Sequence, residues 1–291
     1  MNQDTNKHSA SPTSNRLYLV ALPIGNLGDI TRRAIDTLRS VDLIFCEDTR
    51  HTQKLLNHLG IKKRLISYYR PREEQKAPAL VRLLANQTGA LVTDSGTPLL
   101  SDPGFALVRE AIAAGIEIVP LPGPTALVPA LVASGLDIRS FLFLGFPPRK
   151  PGELKRFLED LAPLPYTLVF YESPRRVDGL LKAAGGALGD REVCLAKEIS
   201  KRHEGFVRGR LAGIREHPDM RVIRGEMVVV IEGAGAGAES RDAPHLRNID
   251  DLYAYFWRHH RISKNHLKSI LMRRGPKRGD PERTATGDES G

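Results

Sequence analysis

Short apolar runs, each followed by one amphipathic stretch, recur through the first half of the chain and limit its fold more than any other feature. Residues 17–21, 41–45, 90–92 and 116–119 have the length of buried strands and are too short for helices. After the first run, Ile30, Ala34, Ile35 and Leu38 share one helical face, and residues 50–59, 79–85 and 105–114 carry helical patterns of their own. Strand and helix in alternation build βαβ units, which require a mostly parallel sheet covered by helices. Asp29 is expected to cap the first helix, and Gly60 stands where the second helix ends.

The alternation breaks at Phe146-Pro147-Pro148-Arg149-Lys150-Pro151-Gly152, where three prolines and a glycine exclude a continuous element. We place a domain boundary there. Beyond it the sequence predicts helices at 153–161 and 174–184, strands at 166–171, 191–196 and 227–231, and a turn or edge hairpin at 205–209, a mixed α+β pattern. The expected organisation is therefore an α/β protein of two domains. It has a disordered tail (1–15), an N-terminal α/β domain (16–146) and a C-terminal α+β domain (152–233). A Gly/Ala linker (234–247), a basic helical appendage (248–275) and a second tail (276–291) follow. Two short helices are expected in the appendage, at 251–259 and 263–272, and residues 258–278 carry cations and no acid.

The net charge of +9 is explained by a nucleic acid, an anionic membrane surface or another acidic partner, or equally by a merely soluble basic protein, and charge alone does not choose among them. No run reaches the ~18–20 apolar residues of a membrane span, and the longest candidate, 116–133, is broken by Pro120, Pro122, Pro124 and Pro129. The Asn/Ser/Thr-rich start has no apolar core of a secretory signal, so a cytoplasmic protein without a membrane partner is expected. Cys46 and Cys194 each close an apolar run without metal-ligand spacing, and neither a disulfide nor a metal site is expected.

Chemistry gathers in the loops after the strands, where parallel sheets bind ligands. The first, Leu22-Pro23-Ile24-Gly25-Asn26-Leu27-Gly28-Asp29, has two glycines that let backbone approach a ligand. The second, Glu47-Asp48-Thr49-Arg50-His51-Thr52, groups two acids, a cation and an imidazole; helix capping by Asp48 or Thr49 accounts for only one of them. Asp94-Ser95-Gly96-Thr97-Pro98-Leu99-Leu100-Ser101-Asp102-Pro103-Gly104 has the composition of a loop that can turn hydroxyls and amides toward a small polar ligand, and Leu121-Pro122-Gly123-Pro124-Thr125-Ala126 follows another strand. The first strand is not followed by G-x-G-x-x-G, and no phosphate-binding G-x-x-x-x-G-K-[ST] occurs.

Five of these segments, in order, closely resemble the ribosomal RNA small subunit methyltransferase I family of the tetrapyrrole methylase superfamily. They are Pro23 to Asp29, Glu47 to Arg50, Ser95 to Gly104, Pro122 to Leu127, and Phe170-Tyr171-Glu172-Ser173-Pro174-Arg175-Arg176. The resemblance runs from about Leu17 to Gly233; after Gly237 the match is poor. It implies a two-domain tetrapyrrole-methylase-like fold, a homodimer, and S-adenosylmethionine bound in the cleft between domains. The implied substrate is small-subunit ribosomal RNA, free or in the assembled subunit, methylated at a ribose 2′-oxygen of a decoding-region cytidine. Pro23, Gly25, Thr97, Leu100, Ser101, Thr125 and Ala126 would contact the cofactor, with Asp94 supporting their loop.

Methyl transfer to an alcohol needs in-line positioning and a base or cation near the departing proton. Glu47, Asp48, Glu172 and Glu198 are candidate bases, and Arg50 and Lys197 are candidate partners for phosphate or a developing oxyanion. Two other readings share parts of this pattern. A methylase of a tetrapyrrole or other small molecule would use the loops but not the basic end. A non-enzymatic RNA-binding or ribosome-assembly factor would use the charge and leave the loops idle.

Overall fold

In the computed structural model, which describes residues 15–222 and 225–235, the chain forms two five-stranded sheets. The first contains β1 (Arg16–Val20), β2 (Leu43–Cys46), β3 (Arg64–Ser67), β4 (Gly89–Leu91) and β5 (Glu117–Leu121), all parallel, in the order β3-β2-β4-β1-β5. Every residue of β2 and β4 is buried, whereas the edge strands expose Arg64 and Glu117. Helices α1 (Arg32–Ser40) and α2 (Thr49–His58) cover one face; α3 (Glu73–Leu84) and α4 (Phe105–Ala113) cover the other.

The two-residue period of β2 sorts its side chains between these layers. Leu43 and Phe45 join Leu84 and Leu107 on the α3–α4 face, while Ile44 and Cys46 join Leu38 and Leu56 on the α1–α2 face. A slip of one residue would exchange both sets.

The second sheet is mixed. Its strands β6 (Phe141–Phe143), β7 (Thr167–Glu172), β8 (Glu192–Lys197), β9 (Gly205–Arg210) and β10 (Met227–Ile231) run in the order β6-β7-β10-β8-β9. Only the β6–β7 pair is parallel. Helix α5 (Leu127–Val132) buries Leu127, Ala130 and Leu131 against Val169, Cys194, Val228 and Val230. On the opposite face lie α6 (Pro151–Leu161) and α7 (Pro174–Leu188), where Phe157 meets Phe170 edge to face at 6.3 Å.

Several elements differ from the sequence reading. Asp29 does not cap α1: it ends a 3-10 turn opened by Asn26, and Thr31 accepts the Ala34 amide at 3.1 Å instead. Thr31 holds the extended backbone that a cap needs, which Asp29 inside its turn does not. Helix α3 begins at Glu73, six residues before the expected start, because it continues through Pro78. The strands β3 and β6 and the helix α5 are too short, or too rich in charge or proline, to stand out in the sequence. Both α5 and β6 precede the Pro/Gly-rich segment at 146–152, yet they pack on or pair within the second sheet. The expected appendage at 248–275, its two helices, the tail 276–291 and residues 1–14 and 236–247 lie outside the described residues.

Gly60 terminates α2 in a left-handed conformation at φ +65. The Ile61 amide donates to Leu56 O at 2.8 Å and the Gly60 amide to Asn57 O at 3.1 Å, the paired bonds of a Schellman end. A Cβ there would meet nothing within 4 Å, so the demand is conformational alone. Gly60→Ala is expected to lower unfolding stability by about 1–2 kcal/mol in urea titration, and Gly60→Asn by less.

Candidate functional site

The carboxyl ends of β1, β2, β4 and β5 feed four loops that are bonded to one another. Leu22 and Gly96 exchange backbone hydrogen bonds, both of 2.9 Å, which joins the loop after β1 to the loop after β4. The Thr97 hydroxyl donates to Pro124 O at 3.0 Å, joining it to the loop after β5. Asp94 Oδ1 accepts the Asp48 amide at 3.2 Å, and Arg70 Nη2 donates to Ser101 O at 2.6 Å.

The loop after β4 is held against a backbone cost. Leu99 and Ser101 lie at φ +70 and +72, a region non-glycine residues rarely occupy. At its end α4 begins with Gly104, which has no side chain to cap the free amides. Glu73 of α3 reaches across instead: its Oε1 accepts from Gly104 at 2.9 Å and from Ala106 at 2.8 Å. The fully buried Tyr68 hydroxyl accepts from Leu107 at 3.0 Å.

The ends of β7, β8 and β10 form the opposite wall. Glu198 and Ser200 also have positive φ, +50 and +67. Glu198 Oε1 accepts the Glu226 amide at 3.2 Å and lies 3.0 Å from Lys201 Nζ. The Lys201 stem occupies the space where a Cβ on Gly25 would sit, 2.3 Å from that position, so only glycine fits there. Ser200 Oγ hydrogen-bonds Asp29 Oδ2. These contacts tie the loop after β1 to the second wall.

Between the walls lies a cleft of about 510 Å³. Ile24, Leu100, Ala126, Ala196, Met227 and Val228 make it apolar, and Thr97, Ser101, Thr125 and Tyr171 bring hydroxyls to it. Such a mixture, at this size, suits a small molecule with one apolar and one polar part.

Carboxylates gather in and around the loop after β4. Burial, followed by the nearby charge of Glu47, pushes Asp102 up to about 6, against the opposing pull of Arg70. Glu47 is itself raised, by burial first and then by Asp94. Burial also raises the phenol of Tyr171 and the free thiols of Cys46 and Cys194, Cys46 to about 11.

Thr97, Leu100, Ser101, Thr125, Ala126, Glu172 and Glu198, all singled out in the sequence, line the cleft. Pro23 and Gly25 flank Ile24, which lines it, and Asp94 braces the loop from outside. Asp48 is the cap of α2, accepting from Arg50 at 2.8 Å; the Arg50 side chain is 89% exposed and pairs with Asp48 at 3.3 Å. Neither they nor Glu47 line the cleft. Lys197 does not line it either: it alternates with Ala196 along β8 and packs over Gly205 of β9. Glu172 is committed, with Oε1 accepting the Ser173 amide at 2.7 Å and Oε2 3.0 Å from Arg176.

Sequence reasoning gave no site role to Asp102, Phe146, Tyr171 or Lys201, all of which line the cleft. Asp102 looks like an ordinary turn residue before Pro103-Gly104, and Phe146 belongs to the segment read as a domain boundary.

Residues 16–215 match the model of the family described as Tetrapyrrole (Corrin/Porphyrin) Methylases. The chain is 42% identical over 269 residues to ribosomal RNA small subunit methyltransferase I of Halalkalibacterium halodurans, covering 90% of this chain and 92% of that one. It is 47% identical over 239 residues to the protein of the same name from Vibrio cholerae, covering 80% and 83%. Among solved structures it is similar to uroporphyrin-III-C-methyltransferase from Thermus thermophilus, with a TM-score of 0.52 and 21% identity over 75% of this chain and 94% of that one. It is also similar to diphthine synthase, at 0.57 and 15% over 74% and 89%. These structural likenesses carry the fold alone.

Glu73→Ala leaves two amides at the start of α4 without their acceptor. It is expected to cost about 1–3 kcal/mol in urea unfolding and to speed hydrogen exchange at Gly104 and Ala106. Glu73→Gln, which keeps one acceptor oxygen, is expected to lose less. Wild-type exchange rates in the Ala variant would disprove this capping role.

Proposed function

Because the chain belongs to the tetrapyrrole (corrin/porphyrin) methylase family, we propose that it transfers a methyl group from S-adenosylmethionine to ribosomal RNA of the small subunit. One observation carries this reading: relatives named for that activity align with 80–90% of the chain, a span that includes both walls of the cleft. The finer reading is a ribose 2′-oxygen of a decoding-region cytidine, acted on by a cytoplasmic homodimer.

The cleft suits S-adenosylmethionine by size and lining. Thr97, Ser101 and Thr125 would meet its polar groups, and Leu100 and Ala126 its apolar surface, with Pro23 and Gly25 at the rim and Asp94 bracing. Once bound, it supplies a methyl group already activated on a sulfonium. The protein must then exclude water, hold the acceptor oxygen in line and receive its proton.

Asp102 is our candidate for the proton acceptor. Of the cleft carboxylates, Glu172 faces Arg176 and Glu198 faces Lys201. Glu226 is exposed and lies 3.8 Å from Lys201. Among the described residues Asp102 has no hydrogen bond and no ion pair, so its oxygens are free for substrate. The net charge of +9 would attract the phosphate backbone and make affinity fall with salt.

The direct test is methyl transfer from labelled S-adenosylmethionine to small ribosomal subunits from cells lacking the protein, with the product mapped by mass spectrometry. A single 2′-O-methylated cytidine is expected. Incorporation into a small molecule but not into subunits or free RNA would overturn the reading.

Asp102 adds a pH signature. Burial and the charges of Glu47, Asp94 and Glu226 favour its protonated form, against Arg70, so the basic form fills only as pH rises through about 6. Wild-type kcat/KM is expected to rise with one limb near that pH. Asp102→Asn is expected to remove the limb and lower kcat by roughly 10²-fold or more with cofactor affinity unchanged. An unaltered limb in the variant would exclude Asp102.

A further inference from the structure

Phe146 is a large aromatic side chain that the fold leaves 59% exposed, on the rim of the cleft. Its backbone is firmly held. Just before it, the Tyr171 amide donates to Gly145 O at 2.9 Å and the Leu144 amide to Val169 O at 2.9 Å. Just after it, Arg176 Nη2 donates to Pro147 O at 2.9 Å and Pro148 O at 3.2 Å. Arg176 is oriented in turn by Glu172, whose side chain is 1% exposed. A buried carboxylate thus acts through one guanidinium to fix the chain beside an exposed ring.

One side of the ring is packed. It meets Tyr171 edge to face at 5.8 Å, and Tyr171 meets Phe143 in the same way at 4.8 Å. Arg149 and Arg175, both exposed and without an ion pair among the described residues, lie close by in sequence: Arg149 three residues after Phe146, Arg175 beside Arg176. An aromatic ring on a fixed backbone at a cleft, with exposed cations near it in sequence, is the combination that single-stranded nucleic acid uses: bases stack on the ring and phosphates meet the charges.

We propose that Phe146 is the platform on which a base of the RNA substrate stacks, with Arg149 and Arg175 meeting the adjoining phosphates. This rests on the RNA reading above. An enzyme that acts on a ribose within structured RNA must draw the nucleotide from its stack, and a replacement stacking partner offsets that cost. Phe146 and Asp102 open on the same cleft, so one site serves both the base and the hydroxyl of a nucleotide.

The test uses the full chain. Phe146→Ala is expected to lower kcat/KM for small subunits roughly ten-fold or more, with S-adenosylmethionine affinity in calorimetry and the mass of the particle in solution unchanged. Phe146→Trp is expected to retain activity. In a Trp257→Phe background the introduced indole is expected to be quenched by added subunits and not by S-adenosylmethionine. Quenching by S-adenosylmethionine alone would show that the ring stacks on the cofactor and would overturn the proposal. A change of oligomeric state in Phe146→Ala would overturn it in favour of a second copy covering the ring, and wild-type kinetics in that variant would overturn it outright. If the wild-type protein transfers no methyl group to RNA, the reading beneath fails; if it does and Phe146→Ala matches it, this inference alone fails.

Discussion

The wall of the cleft depends on how the first turn of α4 is satisfied. A helix that starts at glycine has free amides and no side chain of its own to receive them. Here the acceptors come from another part of the chain, Glu73 and the buried Tyr68 hydroxyl. Because those bonds fix where α4 begins, they also fix the far end of the loop that precedes it. That loop carries Leu99 and Ser101 at positive φ, a conformation that persists only when its surroundings impose it. Arg70 on Ser101, Thr97 on Pro124 and the paired Leu22–Gly96 bonds supply the rest of the restraint. The result presents Thr97, Leu100, Ser101 and Asp102 to one space.

The second wall is built by the same means with different groups. Glu198 and Ser200 hold the unfavourable conformations there, and Lys201, Glu226 and Asp29 restrain them. Glu172 does not lie free in the cleft as a base would. Its charge is matched by Arg176, and the pair steadies the segment that carries Phe146. The division is chemically sensible: cleft acids in ion pairs position the backbone, and Asp102, with no ion pair among the described residues, is the carboxylate whose protonation responds near pH 6.

Charge-dense motifs in this sequence therefore split into two kinds, which spacing does not separate. Glu47-Asp48-Thr49-Arg50 reads as a reactive cluster, but Asp48 spends its oxygens on the start of α2 and on Arg50. Lys197 sits one residue from a cleft-lining position, and strand alternation turns it to the other face. Asp102, hidden in a commonplace turn sequence, lies at the cleft.

The sequence by itself determined the strand–helix alternation, the parallel character of the first sheet, the α+β pattern of the second half, and the loops where polar chemistry gathers. Those properties follow from local periodicity and from turn residues, which are written in consecutive positions. Its ordered motifs also carried the family resemblance. Only the tertiary structure decided which acids are neutralised, which side chains share the cleft, and that α5 and β6 join the second sheet. These depend on partners far apart in the chain: Glu73 and Ala106, Asp94 and Asp48, Gly25 and Lys201. A carboxylate's role is set by the charge and burial around it, and no stretch of neighbouring residues contains that information.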